Sequence, residues 1–448
     1  MVFSSSVFLF HFLPVVFALG FLTKKEYRNY VLILGSLIFY AWGEPVYVLL
    51  MIASILLNFF FGKMVRRHKA WLAIAVAVNL LILGYFKYAD FLIGTVNSIF
   101  GTAIPLRHIP LPIGISFFTF QAMSYVIDVY RGDTEDGSLT DVALYVSFFP
   151  QLIAGPIVKY REISEQIRNR NVTWDGVADG FRRFIYGLGK KVLIANTLGL
   201  CADTVFGHEN PGCLAAWIGA VAYTFQIYYD FSGYSDMAIG LGKMFGFTYL
   251  ENFDHPYLSA SITEFWRRWH ISLGSWFREY VYIPLGGNRK GTARTYLNLV
   301  IVFFLTGLWH GADLSFILWG LYHGMFSIIE RIGLGKALKK HRGIGTVYCF
   351  LIVLFGWVLF RAADTGVAIR YVQAMFTGGA GIPMYEYLTN RTIATLIVAV
   401  LGAGIIQEIA GKWKKHSVPE AVFLVVVLIL SIASIASNSY NPFIYFQF

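Results

Sequence analysis

The chain has 448 residues, of which 57% are hydrophobic and 14% charged, and its net charge is +10. Its mean hydropathy is +0.59, whereas about a quarter of the residues in soluble domains are charged. Apolar runs long enough to cross a bilayer recur along the chain. The composition therefore excludes a string of soluble domains and predicts an all-α polytopic membrane protein, with one integral membrane domain over residues 1–448.

The basic residues lie in short loops between the apolar runs, and not in a patch typical of nucleic-acid binding. We interpret the charge as positive-inside topology, with a basic face toward membrane lipid headgroups or an anionic substrate. No nucleic-acid partner is expected. The three cysteines include no CxxC pair, and an odd thiol would remain if two were joined, so we expect them in the membrane core.

Apolar runs of spanning length occur at about 7–22, 29–42, 46–62, 70–86, 111–129, 192–206, 213–229, 296–311, 314–330, 346–360, 393–408 and 420–437, with a weaker run at 91–100. The first run lacks a basic region before it and a small-residue cleavage site after it, which favours a retained span over a signal peptide. All strongly basic loops then lie on one side of the membrane. This pattern predicts a multi-pass plasma (inner) membrane protein with both termini extracytoplasmic, including the tail 438–448.

Two stretches are more polar than a lipid-facing span. The run at 111–129 carries Ser116, Thr119, Gln121, Ser124 and Asp128, a polarity that favours a cavity wall over a lipid-facing helix. The longest polar stretch is 155–191, and its amphipathic pattern at 177–186 predicts a helix in the cytoplasmic interface. Such a face could bind lipid headgroups or dock a phosphorylated donor.

The run QIYYDFSGYSDMAIGLGKMFGF places Asp230, Asp236 and several glycines at membrane depth. Because free backbone groups cannot face lipid, we predict a broken or re-entrant segment that lines a cavity. Asp236 either lines that cavity or caps a helix at the interface.

Three histidines are candidates for chemistry. A helix that enters the bilayer at about Tyr296 would rise roughly 21 Å by His310, at 1.5 Å per residue. An imidazole at that depth is costly and often functional, although a core histidine bonded to a neighbouring helix is the alternative. His270, in WRRWH, is either catalytic or an interfacial aromatic-belt residue, and the small residues beside His323 favour helix packing. An imidazole with a pKa of about 6.5 can take a proton from an attacking hydroxyl.

The sequence contains no GxSxG elbow, HExxH, P-loop or CxxC pair. Serine-hydrolase, zinc-protease and NTPase interpretations therefore lack support, and we predict no metal site.

The chain resembles the membrane-bound O-acyltransferase (MBOAT) family from about Pro112 to its end, with a core at about 112–330. The resemblance is carried by three runs in order, YYDFSGYSDMAIGLGKMFGF, ENFDHPYLSASITEFWRRWHISLGSWFREYVYIPLGGNR and LTGLWHGADLSFILWGLYHG. It is strongest to the bacterial branch that serves alginate O-acetylation. Related branches serve peptidoglycan or cellulose acetylation and teichoic-acid D-alanylation.

The resemblance implies a ring of tilted transmembrane and re-entrant helices around a central tunnel. The family's invariant histidine, in a Trp-His-Gly context, falls on His310 as the base, and its second active-site position falls on His270. The implied donor is cytosolic acetyl-CoA, and the implied partners are a secreted or membrane-anchored acetyl-transferring protein of the SGNH type and a polysaccharide acceptor. We assign donor or substrate binding to Tyr234, Asp236, Arg267, Trp269, Arg278 and Trp309.

The C-terminal PFIYFQF resembles a motif of the small membrane peptide that accompanies the D-alanylation acyltransferase, in which a tyrosine is implicated as an acyl carrier. The matching residue is Tyr445. Since a phenol has a pKa of about 10, it needs a base to attack at neutral pH. An aromatic anchor at the outer interface is the alternative.

Other functions stay open on the sequence alone. The acyl group could be D-alanyl or another acyl group, and the acceptor could be peptidoglycan. A transporter or flippase could also place Asp and His along a membrane pathway, although the inverted repeats common in transporters are not found. A scaffold for a secreted enzyme would tolerate loss of His310.

Overall fold

The computed structural model describes residues 1–153, 155–379, 381–404, 417–437, 440–442 and 444. These residues form helices joined by turns, and extended pairing among them is confined to an isolated bridge between Phe253 and Trp269. The all-α prediction is therefore confirmed for the described part of the chain.

The chain divides into two compact units, 1–184 with 234–250, and 185–233 with 251–448. The division passes through two helices, α9 (Trp174–Gly189) and α11 (Cys213–Met244).

The first unit also contains α1 (Leu13–Leu22), α2 (Arg28–Ala41), α3 (Tyr47–Val65), α4 (Ala70–Phe100), α5 (Ile115–Arg131), α6 (Leu139–Ser147), α7 (Phe149–Leu152) and α8 (Tyr160–Asn169). The second unit also contains α10 (Asn196–Phe206), α12 (Ile262–Arg268), α13 (Ile271–Phe277), α14 (Thr292–His310), α15 (Leu314–Ile329), α16 (Gly335–Lys340), α17 (Arg342–Arg361), α18 (Thr365–Phe376), α19 (Met384–Tyr387), α20 (Asn390–Gly402) and α21 (Val418–Ser437). The prediction of one domain over 1–448 stays a prediction.

Within the described residues, 5 helices are long and apolar enough to cross a membrane, and they are α3, α4, α14, α17 and α21. Shorter apolar helices lie at Phe8–Leu22 and Asn390–Gly402. The chain is a multi-pass membrane protein in composition and in helix length. The tilted ring and its central tunnel stay predictions.

Many helix ends follow the capping rules of soluble proteins. The side chains of Ser138, Asp313, Asp364 and Thr389 each accept a hydrogen bond from a backbone N–H in the first turn of the following helix. Helix α4 is followed by Gly101, whose φ of 64° is left-handed and favours glycine. Loop residues therefore fix where these helices start and stop.

The predicted break in the segment with Asp230 and Asp236 is wrong, because residues 226–244 of that segment are part of the 32-residue helix α11. The apolar runs at 70–86 and 91–100 form the single helix α4. In the first unit Arg183 of α9 pairs with Asp236 at 2.6 Å. A polar residue paired by a neighbouring helix does not need a break in its own helix, because the neighbour supplies its partner.

Glycines bring α9 and α11 into close contact. A Cβ at Gly240 would lie 2.5 Å from the carbonyl oxygen of Gly180, and a Cβ at Gly180 would lie 2.5 Å from that of Gly240. In the second unit, a Cβ at Gly233 would lie 2.8 Å from the carbonyl oxygen of Gly187. Small residues allow helix backbones to approach in this way in membrane proteins. The glycines of this segment therefore serve packing between helices.

The polar run at 111–129 forms α5, and all five polar side chains that the sequence singled out there are buried. The hydroxyl of Ser124, for example, lies 2.8 Å from that of Tyr145 and donates to the carbonyl of Gln121. The burial agrees with a helix that does not face lipid, and the predicted cavity wall stays a prediction.

Candidate active site

His310 is the last residue of α14, and it is buried with 4% exposure. Aromatic rings surround its imidazole. The ring centroids of Trp319 and Phe360 lie 5.1 and 5.3 Å away, both edge-to-face, and that of Trp309 lies 5.0 Å away. Such a cage leaves few orientations to the imidazole, which suits a group that must meet a substrate in one geometry.

Helix α12, which contains the first residues of WRRWH, is held at its N-terminus by a carboxylate. Glu330, just after α15, is buried, and it accepts hydrogen bonds from the backbone N–H groups of Ile262 and Thr263 at 2.5 and 3.0 Å. These N–H groups belong to the first turn of α12, whose orphan donors and positive end a carboxylate satisfies. The carboxylate therefore ties the end of α15 to the helix that leads into His270.

The backbone of His270 is held in an unusual conformation. Its φ of 46° and ψ of 54° lie in the left-handed region, which is rare outside glycine, asparagine and aspartate. The surrounding chain imposes it, because Asp254 N–H donates to the carbonyl of Arg268 and Ile271 N–H donates to the carbonyl of Asn252. Strain of this kind persists where neighbouring contacts over-determine a residue, as at functional sites.

The same pairing brings the Asn252 side chain to the imidazole of His270. The amide oxygen of Asn252 accepts from the backbone N–H of Ser272 at 3.1 Å and from its hydroxyl at 2.8 Å. His270 Nδ1 lies 3.2 Å from this oxygen, which can only accept. Nδ1 must therefore carry the ring proton, and the lone pair is on Nε2.

His270 is buried with 2% exposure. Burial lowers its pKa to about 3, because desolvation disfavours the charged form. The imidazole is therefore neutral at physiological pH, with its lone pair on Nε2.

His270 and His310 both line a cavity of about 1690 Å³ in the second unit. Both rings also contact Trp309, whose ring centroid lies 6.2 Å from that of His270 and 5.0 Å from that of His310. The cavity continues past the 264–278 segment to the loop 286–290 and to α16. Two imidazoles thus line the same large cavity.

The wall of this cavity is strongly basic. Its acidic members are Glu264 and Glu330, and its basic members are Arg267, Arg278, Arg289, Lys290, Arg331, Lys336, Lys339 and Arg342. Arg342 pairs with Glu264 at 3.1 Å. The other basic residues make no ion pair with any residue that the structure describes. This excess of positive charge suits a ligand with several negative charges.

The structure brings together several of the predicted site residues. His270, His310, Arg267, Arg278 and Trp269 line the cavity, and Trp309 contacts both imidazoles.

Tyr234 and Asp236 belong to the first unit, where Tyr234 stacks on Phe3 with a 4.6 Å centroid separation and Asp236 pairs with Arg183. Their predicted roles in donor or substrate binding stay predictions. Tyr445 lies outside the described residues.

His323 has a different environment. It is fully buried, and its ring lies edge-on to Trp266 at 5.0 Å and to Trp319 at 5.3 Å. Neither ring nitrogen has a hydrogen-bond partner among the described residues. These contacts fit the packing role predicted from its small neighbours.

The sequence interpretation missed Asn252, Glu330 and the cavity residues of α16, whereas the loop 286–290 lies in the basic segment 264–295, which it places near the donor phosphates. The clusters NRKG and GKALKKHRG are visible in the sequence, but their common cavity follows only from the fold. Within the described part of the chain, no group of three or more histidine, cysteine, aspartate or glutamate residues is arranged to hold a metal ion.

A family model for the membrane-bound O-acyltransferases, MBOAT, matches residues 112–335. The chain belongs to the MBOAT family. The matched range includes His270, His310 and most of the cavity wall. The chain is accordingly an O-acyltransferase of the membrane.

Individual relatives of this MBOAT protein are named as bacterial O-acetylases, an O-acetyltransferase and D-alanyltransferases. It is 44% identical to the probable alginate O-acetylase AlgI of Pseudomonas putida, over all of both chains. It is 37% identical to the peptidoglycan O-acetyltransferase of Helicobacter pylori, over 84% of this chain and 80% of the relative. It is 27% identical to the teichoic acid D-alanyltransferase of Bacillus subtilis, over 55% of this chain and 68% of the relative.

Proposed function

We propose that the protein takes an acetyl group from cytosolic acetyl-CoA and moves it across the plasma (inner) membrane for O-acetylation of an extracytoplasmic polysaccharide. The high identity to probable alginate O-acetylases along the whole chain supports this acceptor class. A secreted or membrane-anchored partner of the SGNH type receives the acetyl group. The observation that carries the proposal is the meeting of two buried histidines in one basic cavity.

The basic wall of the cavity supports a coenzyme A thioester as the donor. Coenzyme A carries a diphosphate and a 3′-phosphate, and guanidinium and ammonium groups bind phosphate by charge-assisted hydrogen bonds. Most basic residues of the wall lack an ion-pair partner among the described residues, so their charge is available to a ligand. The volume of about 1690 Å³ exceeds that of a typical small-molecule pocket, roughly 300–1,000 Å³, as an extended donor requires.

Acyl transfer then needs a hydroxyl, a base and a leaving thiolate. His310 takes the hydroxyl proton as the hydroxyl oxygen bonds to the thioester carbonyl carbon. The tetrahedral adduct collapses with cleavage of its C–S bond, and the leaving thiolate receives that proton. His270, neutral with its lone pair on Nε2, accepts a hydrogen bond from a reacting hydroxyl or thiol in the same cavity.

The hydroxyl in this proposal is the phenol of Tyr445. Support comes from its chain neighbour, because the backbone N–H of Ile444 donates to Asp230 at 3.0 Å. Phe231, the next residue after Asp230, packs edge-to-face on His270 with a 4.6 Å centroid separation. The tail is thus tied to the helix that contacts one of the two histidines. Acetyl-Tyr445 would pass its acetyl group to the partner.

The test uses purified protein in detergent with radiolabelled acetyl-CoA, comparing wild type with His310→Ala and Tyr445→Phe. We expect covalent label on Tyr445 in wild type, and a loss of at least about a hundredfold in labelling rate for His310→Ala, because a positioned base contributes typically 10²–10⁴-fold. Tyr445→Phe should take no label. His323→Ala is a control for loss of a buried histidine outside the chemistry.

Two results would count against the proposal in different ways. Release of coenzyme A without label on the protein would mean direct transfer to an acceptor, with Tyr445 as an interfacial anchor. Full labelling of the His310→Ala variant would show that His310 is not the base in acyl transfer.

A further inference from the structure

The C-terminal segment is bonded to polar groups of the second unit, of which Lys191, Asn196 and Asp230 are buried and Asp203 is part-exposed. We call the side chains that hold it, Lys191, Asn196, Asp203 and Asp230, the tail socket. Lys191 and Asp230 form an ion pair at 2.5 Å, and their side chains are 3% and 2% exposed. A buried pair is costly unless further hydrogen bonds satisfy both partners, and in this pair the tail supplies such bonds.

The two partners of this ion pair hold tail groups that lie two residues apart. Lys191 Nζ donates to the carbonyl oxygen of Pro442. The Asp230 carboxylate accepts from the backbone N–H of Ile444 at 3.0 Å. Because both contacts are to the main chain, they fix the path of the tail and not the identity of its side chains.

The other socket residues hold the start of the segment. Asn196 donates to the carbonyl of Tyr440 and to the side chain of Asn441, both at 3.3 Å. The Tyr440 hydroxyl donates to Asp203, which also pairs with Arg361 at 2.5 Å.

A glycine makes room for this docking. A Cβ at Gly199 would lie 2.8 Å from the Tyr440 hydroxyl. The helix surface around 191–203 is therefore shaped and charged to receive residues 440–442 and 444.

We propose that the tail socket is a docking site for the chain's own C-terminal segment. By binding the segment beside the turn of α11 that packs on His270, the socket positions it for acyl transfer. Its role in transfer rests on the proposed function of Tyr445, which directly follows Ile444. Asp230 bonds the tail, and its neighbour Phe231 contacts the imidazole. Lys191 and Asp230 are positioning residues in this scheme, since they touch the tail and not the reacting atoms.

A charge-swap variant distinguishes the effect of the ion pair from the effect of its contacts with the tail. In Lys191→Asp with Asp230→Lys, opposite charges still face each other. An aspartate at 191 cannot donate to the Pro442 carbonyl, however, and a lysine at 230 cannot accept from the Ile444 N–H. If the pair only stabilises the helices, the exchange should restore what Lys191→Met loses. If it docks the tail, the exchange should not.

Docking is read by hydrogen–deuterium exchange of the C-terminal peptide in full-length protein in detergent. We expect exchange of the Ile444 amide to be at least about tenfold faster in Lys191→Met and in the exchanged variant than in wild type. Wild-type exchange rates in the exchanged variant would overturn the inference. An Ile444 amide that exchanges in wild type as fast as in the two variants would overturn the inference as well.

Transfer is read by radiolabelled acetyl on Tyr445 in the same proteins. Ile444→Pro removes the N–H that Asp230 accepts without altering the helices, and Ile444→Val is the matched control that keeps it. We expect label to fall at least about tenfold in Ile444→Pro and to persist in Ile444→Val. Fast amide exchange with undiminished label would overturn the positioning role and leave the proposed function intact. Absence of label on wild type would instead refute the Tyr445 relay, while the exchange data alone would judge docking.

Discussion

At the scale of single residues, Asn252 determines which nitrogen of His270 can act. Its amide oxygen is oriented by the backbone N–H of Ser272, a donor that cannot rotate away. The proton on Nδ1 follows from that orientation, and so does the lone pair on Nε2. Asn252 is therefore a positioning residue for an imidazole that lines the cavity.

Asn252→Ala should lower kcat about tenfold, because the imidazole loses the hydrogen bond that fixes its tautomer. Ser272→Ala is the control, since it removes only the hydroxyl and leaves the backbone donor in place. Its loss should stay below about threefold. Equal losses in both variants would show that the orientation of the amide is not what matters.

Asn252→Asp tests the same residue through pH dependence. A carboxylate at this position still accepts from Ser272, but it favours the protonated imidazolium and raises the pKa of His270 from about 3. Protonation removes the lone pair on Nε2, so the acid limb of the kcat/KM profile should move to higher pH. Wild type should keep His270 neutral down to about pH 4. Superimposable profiles would mean that His270 does not titrate in the reaction.

At the scale of helices, the segment with Asp230, Asp236 and several glycines shows where sequence reasoning succeeds and where it stops. The helix bounds around most apolar runs follow from hydropathy, and they are close to those observed; α14, for example, spans Thr292–His310 where 296–311 was predicted. The sequence alone does not predict which groups bind the polar residues at membrane depth. Whether Asp236 meets Arg183 of α9 or a substrate depends on helix packing, which a single sequence leaves open.

The same limit applies to the candidate site. His310 and His270 were found from their motifs, because Trp-His-Gly and WRRWH are local in the chain. Asn252 and Glu330 have no local signature, and they reach the WRRWH segment only through the folded pairing of 252–254 with 268–271 and through the end of α15. Residues that act through others are therefore the ones that sequence reasoning missed.

Gly240→Ala should destabilise the protein by about 1–3 kcal/mol, because its new Cβ would lie 2.5 Å from a backbone carbonyl of α9 that cannot move aside cheaply. Gly84→Ala on α4 is the matched control, since a Cβ there meets nothing within 4 Å. It should be neutral or stabilising by up to about 1 kcal/mol, the propensity gain of alanine over glycine. Thermal unfolding of both proteins in detergent measures the difference. Equal midpoints would contradict the close packing of α9 on α11.

At the scale of the whole molecule, the residues that give the net charge of +10 are unevenly distributed. Eight basic and two acidic side chains line one cavity of the second unit. A short loop at 286–290, the helix α16 and the WRRWH segment are distant in sequence, yet each adds positive charge to the same wall. The excess positive charge is spread over separate segments of the sequence, but the fold gathers it on one cavity wall. The resulting positive potential can raise the local concentration of an anionic donor.

Arg289→Gln with Lys290→Gln should raise KM for acetyl-CoA about five- to tenfold and leave kcat nearly unchanged, because the lost contacts are to phosphates and not to the reacting thioester. The effect should shrink as salt is added, since exposed charges are screened within about 10 Å at 0.1 M. Lys24→Gln with Lys25→Gln removes the same charge from the first unit, and KM should not change. Acetyl-pantetheine, a thioester without the nucleotide phosphates, separates the two explanations. An equal rise in KM for both donors would mean that these residues shape the cavity and do not bind phosphate.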